Sequence, residues 1–105
     1  AHPGHLAVVY GYFHPGSCAR GACLLGTALQ QSSDGGVTWT TPQQLDAQPM
    51  SETWLARAEG GRMVGDYYSV EFAGDRVVPV FTLAAPPLNG RFREAIFAAS
   101  LPALG

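Results

Sequence analysis

The sequence predicts an all-β fold, and three observations support that prediction. Apolar runs rich in Val, Ile, Phe and Tyr recur along its 105 residues, and these residue types are enriched in strands. Clusters of Gly, Pro, Asn and Asp, which are typical of turns, separate those runs. No segment has the sustained apolar periodicity of an amphipathic helix. The length suits one modest domain.

Three strands are predicted in the first part of the chain. Leu6–Phe13 is nearly continuously apolar, which indicates a strand buried on both faces. Residues 23–31 form the second strand, and residues 37–45 return as the third. Because Pro42 has no N–H to donate, the third strand is expected at an edge of its sheet.

The two cysteines, Cys18 and Cys23, lie in the predicted loop between the first two strands. A disulfide across this loop is geometrically reasonable, and closing so short a loop contributes about 2 kcal/mol. It would imply an oxidising compartment. A zinc site that recruits His14 and a pair of free thiols are the two alternatives.

The second part of the chain predicts three further strands, at residues 63–72, 77–84 and 94–100. Residues 46–62 form a polar connection between the two groups of strands. Pro79 lies inside a predicted strand and therefore indicates a bulge or an unpaired position. The Pro-, Asn- and Gly-containing residues 85–93 are predicted to form a loop.

The turn after the second strand carries the sequence Ser-Ser-Asp-Gly-Gly-Val-Thr-Trp over residues 32–39. Asp34 is placed to accept hydrogen bonds from the turn's backbone N–H groups and from the Thr38 hydroxyl. The two glycines supply the positive φ that a tight hairpin requires. Trp39 then leaves the turn as a large apolar anchor. The motif predicts a hairpin that is held together by its own side chains.

This motif resembles the Asp-box, the repeat signature of sialidase-like β-propellers. All five signature positions are present, namely Ser32, Asp34, Gly36, Thr38 and Trp39. In that family the box lies on the outer rim of a blade, away from the substrate. The resemblance therefore implies a structural role for Asp34, within a six-bladed propeller of four-stranded antiparallel sheets.

The resemblance implies that this chain, residues 1–105, is one partial propeller unit. Residues 6–45 would supply strands B to D of one blade, and residues 63–100 would supply strands A to C of the next. Residues 46–62 would connect the two blades. Such a unit holds about one and a half blades, whereas a propeller closes with 4–8. We therefore expect a C-terminal fragment whose partners are the remaining blades; identical copies that self-assemble and an open two-sheet sandwich are the alternatives.

A weak internal repeat agrees with two related sheets. An offset of 71 positions places Val9 on Val80 and Leu25 on Ile96. The matched positions share only apolar character, so the repeat by itself does not identify a family.

The segment Gly-Asp-Tyr-Tyr-Ser contains the candidate site residues. It resembles a segment of bacterial exo-α-sialidases, in which a Tyr-Ser pair marks the nucleophile. The resemblance implies that Tyr68 is the nucleophile and Asp66 the acid/base residue. Tyr67 and Glu71 would then contact the substrate. A tyrosine nucleophile is an exception among glycoside hydrolases, and it suits an anionic sugar because a carboxylate nucleophile would repel it.

Other features of the sequence leave this chemistry open. The Phe-Arg-Ile-Pro motif that brings the family's first substrate-binding arginine is absent, and no arginine matches the family's triad. Tyr68 could instead fill the space between two blades, and Asp66 could cap the entry to its strand. Strand alternation places Tyr68 and Glu71 on opposite faces.

Composition limits the classes of partner. A net charge of −2 does not indicate a basic surface that would bind nucleic acid or an anionic membrane. No apolar run approaches the ~20 residues that span a bilayer. Charged residues make up 13% of the chain against about 25% in typical domains. A composition rich in Gly, Ala and Pro is one explanation, and faces that meet neighbours outside this chain are the other, which the predicted fold favours. No cofactor or metal is expected.

Two functional hypotheses follow. The chain belongs to a secreted exo-α-sialidase that acts on sialylated or related glycans. Alternatively, it belongs to a non-catalytic Asp-box propeller that binds glycans or proteins or serves as a scaffold.

Overall fold

The computed structural model describes residues 3–14, 18, 23–46, 49–51, 54, 56–58, 61–63 and 68–104. These residues form an all-β structure of antiparallel sheets without an α-helix, which confirms the predicted fold class. The strands of this described part are β1 (Leu6–Phe13), β2 (Leu24–Ser32), β3 (Gln43–Gln44), β4 (Met50–Ser51), β5 (Ala56–Ala58), β6 (Gly61–Met63), β7 (Ser69–Ala73), β8 (Arg76–Leu88), β9 (Arg91–Ala98) and β10 (Leu101–Pro102).

The first sheet is centred on β2. Strand β1 pairs along the whole of one edge of β2. The other edge is shared by two short strands: β4 pairs with the start of β2, and β3 pairs with its middle. The loop between β1 and β2 is closed by the Cys18–Cys23 disulfide, which confirms the predicted pairing.

Two predictions about this region are wrong in extent. The third strand was expected over residues 37–45, but only Gln43–Gln44 pairs with β2 as a strand. The turn motif extends to Trp39, and Pro42 offers no N–H to the ladder, so little of the segment is left to pair. The connection over residues 46–62 contains the short strands β4 and β5 and the first two residues of β6, and β5 and β6 form a separate two-stranded sheet.

The second sheet is centred on β8. Strand β7 pairs with one edge of β8, whereas β9 and β10 follow each other along the other edge. The predicted loop over residues 85–93 is wrong, because β8 continues to Leu88 and turns directly into β9. Asn89 and Gly90 both have positive φ, 53° and 75°, which is the geometry of a two-residue type I′ hairpin.

Pro79 lies within β8 opposite Val70, with no register shift on that side, so the predicted bulge is absent there. Its carbonyl accepts a hydrogen bond from the Ala99 N–H at 3.1 Å. Because the N–H and C=O of a strand residue point to the same edge, the donor that proline lacks would face the same neighbouring strand. Strand β9 ends and β10 begins opposite Pro79. The unpaired position that the sequence predicts therefore lies at Pro79, on the edge of β8 that faces these two strands.

The two sheets stack face to face, and corresponding ends of their strands meet. Near the end of β2, the Gln31 side chain donates to the Pro102 carbonyl at 3.1 Å and accepts from the Leu104 N–H at 3.1 Å. Near the start of β2, Met50 pairs with Leu25, and its sulfur accepts the Ala84 N–H beside the start of β9. Strand β2 and the β9–β10 edge therefore run in the same direction.

Each sheet has an inner face and an outer face, and the inner faces hold the core. Leu29, Val77 and Phe81 are among the most buried apolar side chains, with exposed fractions of 1%, 0% and 3%. We use "inner faces" for the alternating positions that include Thr27, Leu29 and Gln31 on β2 and Val77, Pro79 and Phe81 on β8. The "outer faces" are the other positions, including Leu6, Val8, Tyr10 and Tyr12 on β1, Val78 and Val80 on β8, and Ile96 and Ala98 on β9.

Candidate functional site

The turn at residues 32–39, which resembles the Asp-box, lies at the tip between β2 and β3, at the end of β2. The Asp34 carboxylate accepts the Thr38 N–H at 2.9 Å and the Ser32 hydroxyl at 2.8 Å. Its second oxygen accepts the Thr38 hydroxyl. One carboxylate thus bonds both sides of the turn, because Asp34 is followed by a bend that brings Thr38 back within reach.

The two glycines make this bend possible. Gly35 and Gly36 have φ of 73° and 94°, in the left-handed region that other residues rarely adopt. The Gly36 N–H then donates to the Ser32 hydroxyl at 2.9 Å, and the Gly36 carbonyl accepts the Trp39 indole N–H at 3.0 Å. The Gly35 N–H donates to the Gly4 carbonyl at 2.9 Å, which ties the turn to the segment before β1.

These hydrogen bonds change the acidity of the carboxylate. The side-chain hydrogen bond from Thr38, followed by the backbone N–H of the same residue, lowers the pKa of Asp34 from 3.8 to about 2. Hydrogen bonds favour the charged form, which is an acceptor only. Both carboxylate oxygens of Asp34 accept hydrogen bonds within the turn. This geometry suits a residue that holds the turn together better than one that donates a proton at neutral pH.

The lowered pKa predicts a pH-dependent loss of stability in acid. Because the folded-state pKa lies below the ordinary value, Asp34 stabilises the fold above about pH 4, and this contribution disappears as the pH falls towards 2. We expect wild type to have the higher melting temperature at pH 5, and Asp34→Asn to approach it at pH 2.

Thermal unfolding followed by circular dichroism across this range measures the effect. Asp75→Asn, in the exposed turn between β7 and β8, is the matched control. An equal gap between wild type and Asp34→Asn at both pH values would contradict the prediction.

Tyr68 lies between the two sheets, immediately before β7. A Cβ placed on Gly11 would be 4.0 Å from its hydroxyl oxygen, so the phenol reaches the inner face of the first sheet. Burial raises the pKa of Tyr68 above 10.0, while the Thr27 side chain and the Thr82 backbone act in the opposite direction. The Thr27 hydroxyl is buried and, within the described residues, has no partner of normal hydrogen-bond geometry, so its contact with Tyr68 is a weak one.

A cavity of about 290 Å³ borders Tyr68. Aromatic and aliphatic side chains line most of it, including Tyr12, Phe13, Leu25 and Met50. Gly26, which also lines it, is covered by Tyr12, because a Cβ at this position would lie 2.6 Å from the Tyr12 ring. The described lining contributes two phenol groups, those of Tyr12 and Tyr68.

The remaining predicted site residues do not assemble around Tyr68 in the described part of the chain. Glu71 is exposed on β7 and lies on the outer face, opposite Val78, whereas Tyr68 points inward. Asp66 and Tyr67 lie outside the described residues. The assignments of Tyr68 and Asp66 to catalysis and of Tyr67 and Glu71 to substrate binding remain predictions.

Two arginines already have hydrogen-bond partners within the chain. Arg76 donates to the Ser100 hydroxyl at 2.9 Å and to the Ser100 carbonyl at 2.7 Å. Arg93 donates from its Nε to the Pro86 carbonyl at 2.6 Å. These contacts fix strand ends and the β8–β9 hairpin, and a substrate carboxylate would have to compete with them.

The sequence-based reasoning missed Asp46, a buried carboxylate with an exposed fraction of 6%. It accepts the Thr27 N–H at 2.8 Å and the Gln44 amide at 3.0 Å. It also borders a second cavity, of about 240 Å³, together with Met50 and Arg93. No local pattern marks this residue, because its partner Thr27 is 19 positions away in the sequence.

The described residues contain no group of three or more His, Cys, Asp or Glu side chains that could hold a metal ion. Nor does this part of the chain form a helix long and apolar enough to cross a bilayer. No protein-family model matches the chain, and comparisons with curated proteins and with solved structures find no significant match.

Proposed function

We propose that this chain is a non-catalytic segment of an Asp-box propeller, in which it supplies two neighbouring sheets. The observation that carries the proposal is the stacking of the two sheets with corresponding strands in the same direction. Propeller blades stack in this way around an axis. The Asp-box turn adds support, since its hydrogen bonds hold the tip of the first sheet.

The exposed apolar side chains are a second support. Leu6 and Val8 on the outer face of the first sheet are 43% and 40% exposed. On the outer face of the second sheet Ile96 is 75% exposed. A two-sheet unit with an apolar side chain on each outer face is expected where further sheets follow on both sides.

A role in an oxidising, extracellular setting fits the same proposal. The Cys18–Cys23 disulfide persists where thiols are not kept reduced. We therefore propose a secreted protein whose Asp-box propeller binds glycans or proteins or serves as a scaffold.

An exo-α-sialidase is the second candidate, and Tyr68 is the observation that favours it. The phenol lies beside a cavity large enough for part of a sugar ring system. The inward position of Tyr68 and the outward position of Glu71 favour the non-catalytic role.

A hydrolysis assay separates the two candidates. The natural protein that contains this chain would be incubated with a fluorogenic α-sialoside, alongside Tyr68→Phe and the control Tyr10→Phe. We expect no hydrolysis above the buffer rate from any of the three. Hydrolysis that is lost in Tyr68→Phe and kept in Tyr10→Phe would overturn the proposal in favour of the enzyme.

A further inference from the structure

The cavity of about 240 Å³ lies between the inner faces of the two sheets, where they separate. Phe81, on β8, is 3% exposed, whereas Phe97, its partner on β9, is 45% exposed on the same inner face. Ala95, two positions earlier on that face, lines the cavity together with Phe97. Because the cavity lies between the inner faces, a further sheet stacked on an outer face would leave it open.

The first sheet contributes a buried carboxylate to this cavity. Asp46 is 6% exposed, and its oxygens accept the Thr27 N–H at 2.8 Å and the Gln44 amide at 3.0 Å. A carboxylate has about four acceptor positions, so positions remain for a further donor. Both present donors are neutral, and among the described residues Asp46 has no cationic partner at ion-pair distance. A buried charge is costly unless it is paired, so this end of the cavity favours a cation.

The second sheet contributes a guanidinium group. Arg93 lies on β9 opposite Ala85, and its Nε donates to the Pro86 carbonyl at 2.6 Å. This contact holds the side chain against the β8–β9 hairpin and leaves the N–H groups of both terminal nitrogens. A carboxylate that bonds end-on to the terminal nitrogens keeps the contact, whereas a side-on approach through Nε would compete with it. This end of the cavity therefore favours an anion.

Apolar groups line the space between the two charges. Met50 comes from the first sheet and Leu83 from the second, and the Met50 sulfur accepts the Ala84 N–H. Asp46 and Arg93 line the same cavity but, in the described part of the chain, do not form an ion pair with each other. A ligand that bonds to both must carry its two charges apart, with an apolar stem between them.

We propose that this cavity binds a small zwitterion of the ω-amino acid class, which has an ammonium group at one end of an apolar stem and a carboxylate at the other. The ammonium group donates to the remaining acceptor positions of Asp46, and the carboxylate accepts from the terminal nitrogens of Arg93. The volume suits one small molecule, since pockets for drug-sized ligands measure about 300–1,000 Å³. The inference goes beyond the proposed propeller role and does not depend on it.

Titration calorimetry on the natural protein that contains this chain tests the inference with three probes. The compound ε-aminocaproate carries both charges, caproate lacks the ammonium group, and hexylamine lacks the carboxylate. We expect wild type to bind ε-aminocaproate at least about tenfold more tightly than either single-charge probe, because each of those probes leaves one charged side chain without its partner.

Two variants assign each charge to its partner. Asp46→Asn keeps an acceptor for the Thr27 N–H but removes the negative charge, so it should bind ε-aminocaproate no more tightly than caproate. Arg93→Gln removes the positive charge and should bind ε-aminocaproate no more tightly than hexylamine. Asp75→Asn and Arg91→Gln, at exposed positions outside the cavity lining, are matched controls and should keep the wild-type preference. Circular dichroism would check that each variant is folded.

Wild type that binds none of the probes at millimolar concentration, or that does not prefer ε-aminocaproate, would overturn the inference whether or not a variant folds. Folded Asp46→Asn and Arg93→Gln that keep the wild-type preference would overturn it too. An equal loss of affinity for all three probes would show that the substitutions act on the fold alone, which also contradicts the assignment. These outcomes leave the propeller proposal untouched, since the sialoside assay tests it separately.

Discussion

Replacing Leu29 with alanine should lower the free energy of unfolding by about 2–5 kcal/mol, the usual cost of truncating a buried leucine. Leu29 lies in the middle of β2, is 1% exposed and is the largest of the fully buried side chains. Because β2 is paired on both edges, its backbone has little freedom to close the cavity that the substitution leaves.

Urea denaturation of wild type and Leu29→Ala would measure this difference. Val37→Ala is the control, since Val37 is 81% exposed and its truncation should change stability by less than about 0.5 kcal/mol. A change at Leu29 as small as that at Val37 would show that the stacked sheets do not bury β2 as described.

The second large effect is expected from Asp46→Ala. This change removes the acceptor of the buried Thr27 N–H, and an unsatisfied buried donor costs about 1–3 kcal/mol. Asp46→Asn should cost less, because its amide oxygen can still accept that N–H. Gln44→Ala removes only the contact to the second carboxylate oxygen and should be the mildest of the three.

Denaturation midpoints of the three variants would establish the order. Equal losses for Asp46→Ala and Gln44→Ala would contradict the assignment, because the Thr27 N–H would then contribute nothing. The comparison also tests how much Asp46, at the start of the connection after β3, contributes to holding the first sheet.

Local sequence patterns predict the parts of this fold that depend on neighbouring residues. The Asp34–Thr38 hydrogen bonds span four positions, and the left-handed glycines between them are visible in the sequence. The disulfide spans five positions. The bounds of β1 follow from its apolar run, because a strand of β-branched and aromatic residues needs no distant information to be recognised.

The errors have local causes too. The Asn89–Gly90 hairpin was predicted as part of a loop because Pro86 and Pro87 precede it, although an Asn-Gly pair is itself a strong hairpin signal. The third strand was predicted too long because a run of Thr and Val has strand propensity even when the turn and Pro42 leave it unpaired.

The all-β class and the hydrogen-bonded turn at residues 32–39 follow from the sequence alone, since each depends on residues a few positions apart; the sequence also favours a Cys18–Cys23 disulfide, which the structure contains. Only the tertiary structure decided that Asp46 supports β2, that Tyr68 points between the sheets, and which faces stay exposed. These features join positions far apart in the chain, and one sequence records no such pairing. A buried carboxylate and an exposed isoleucine are recognisable only once the surrounding strands are in place.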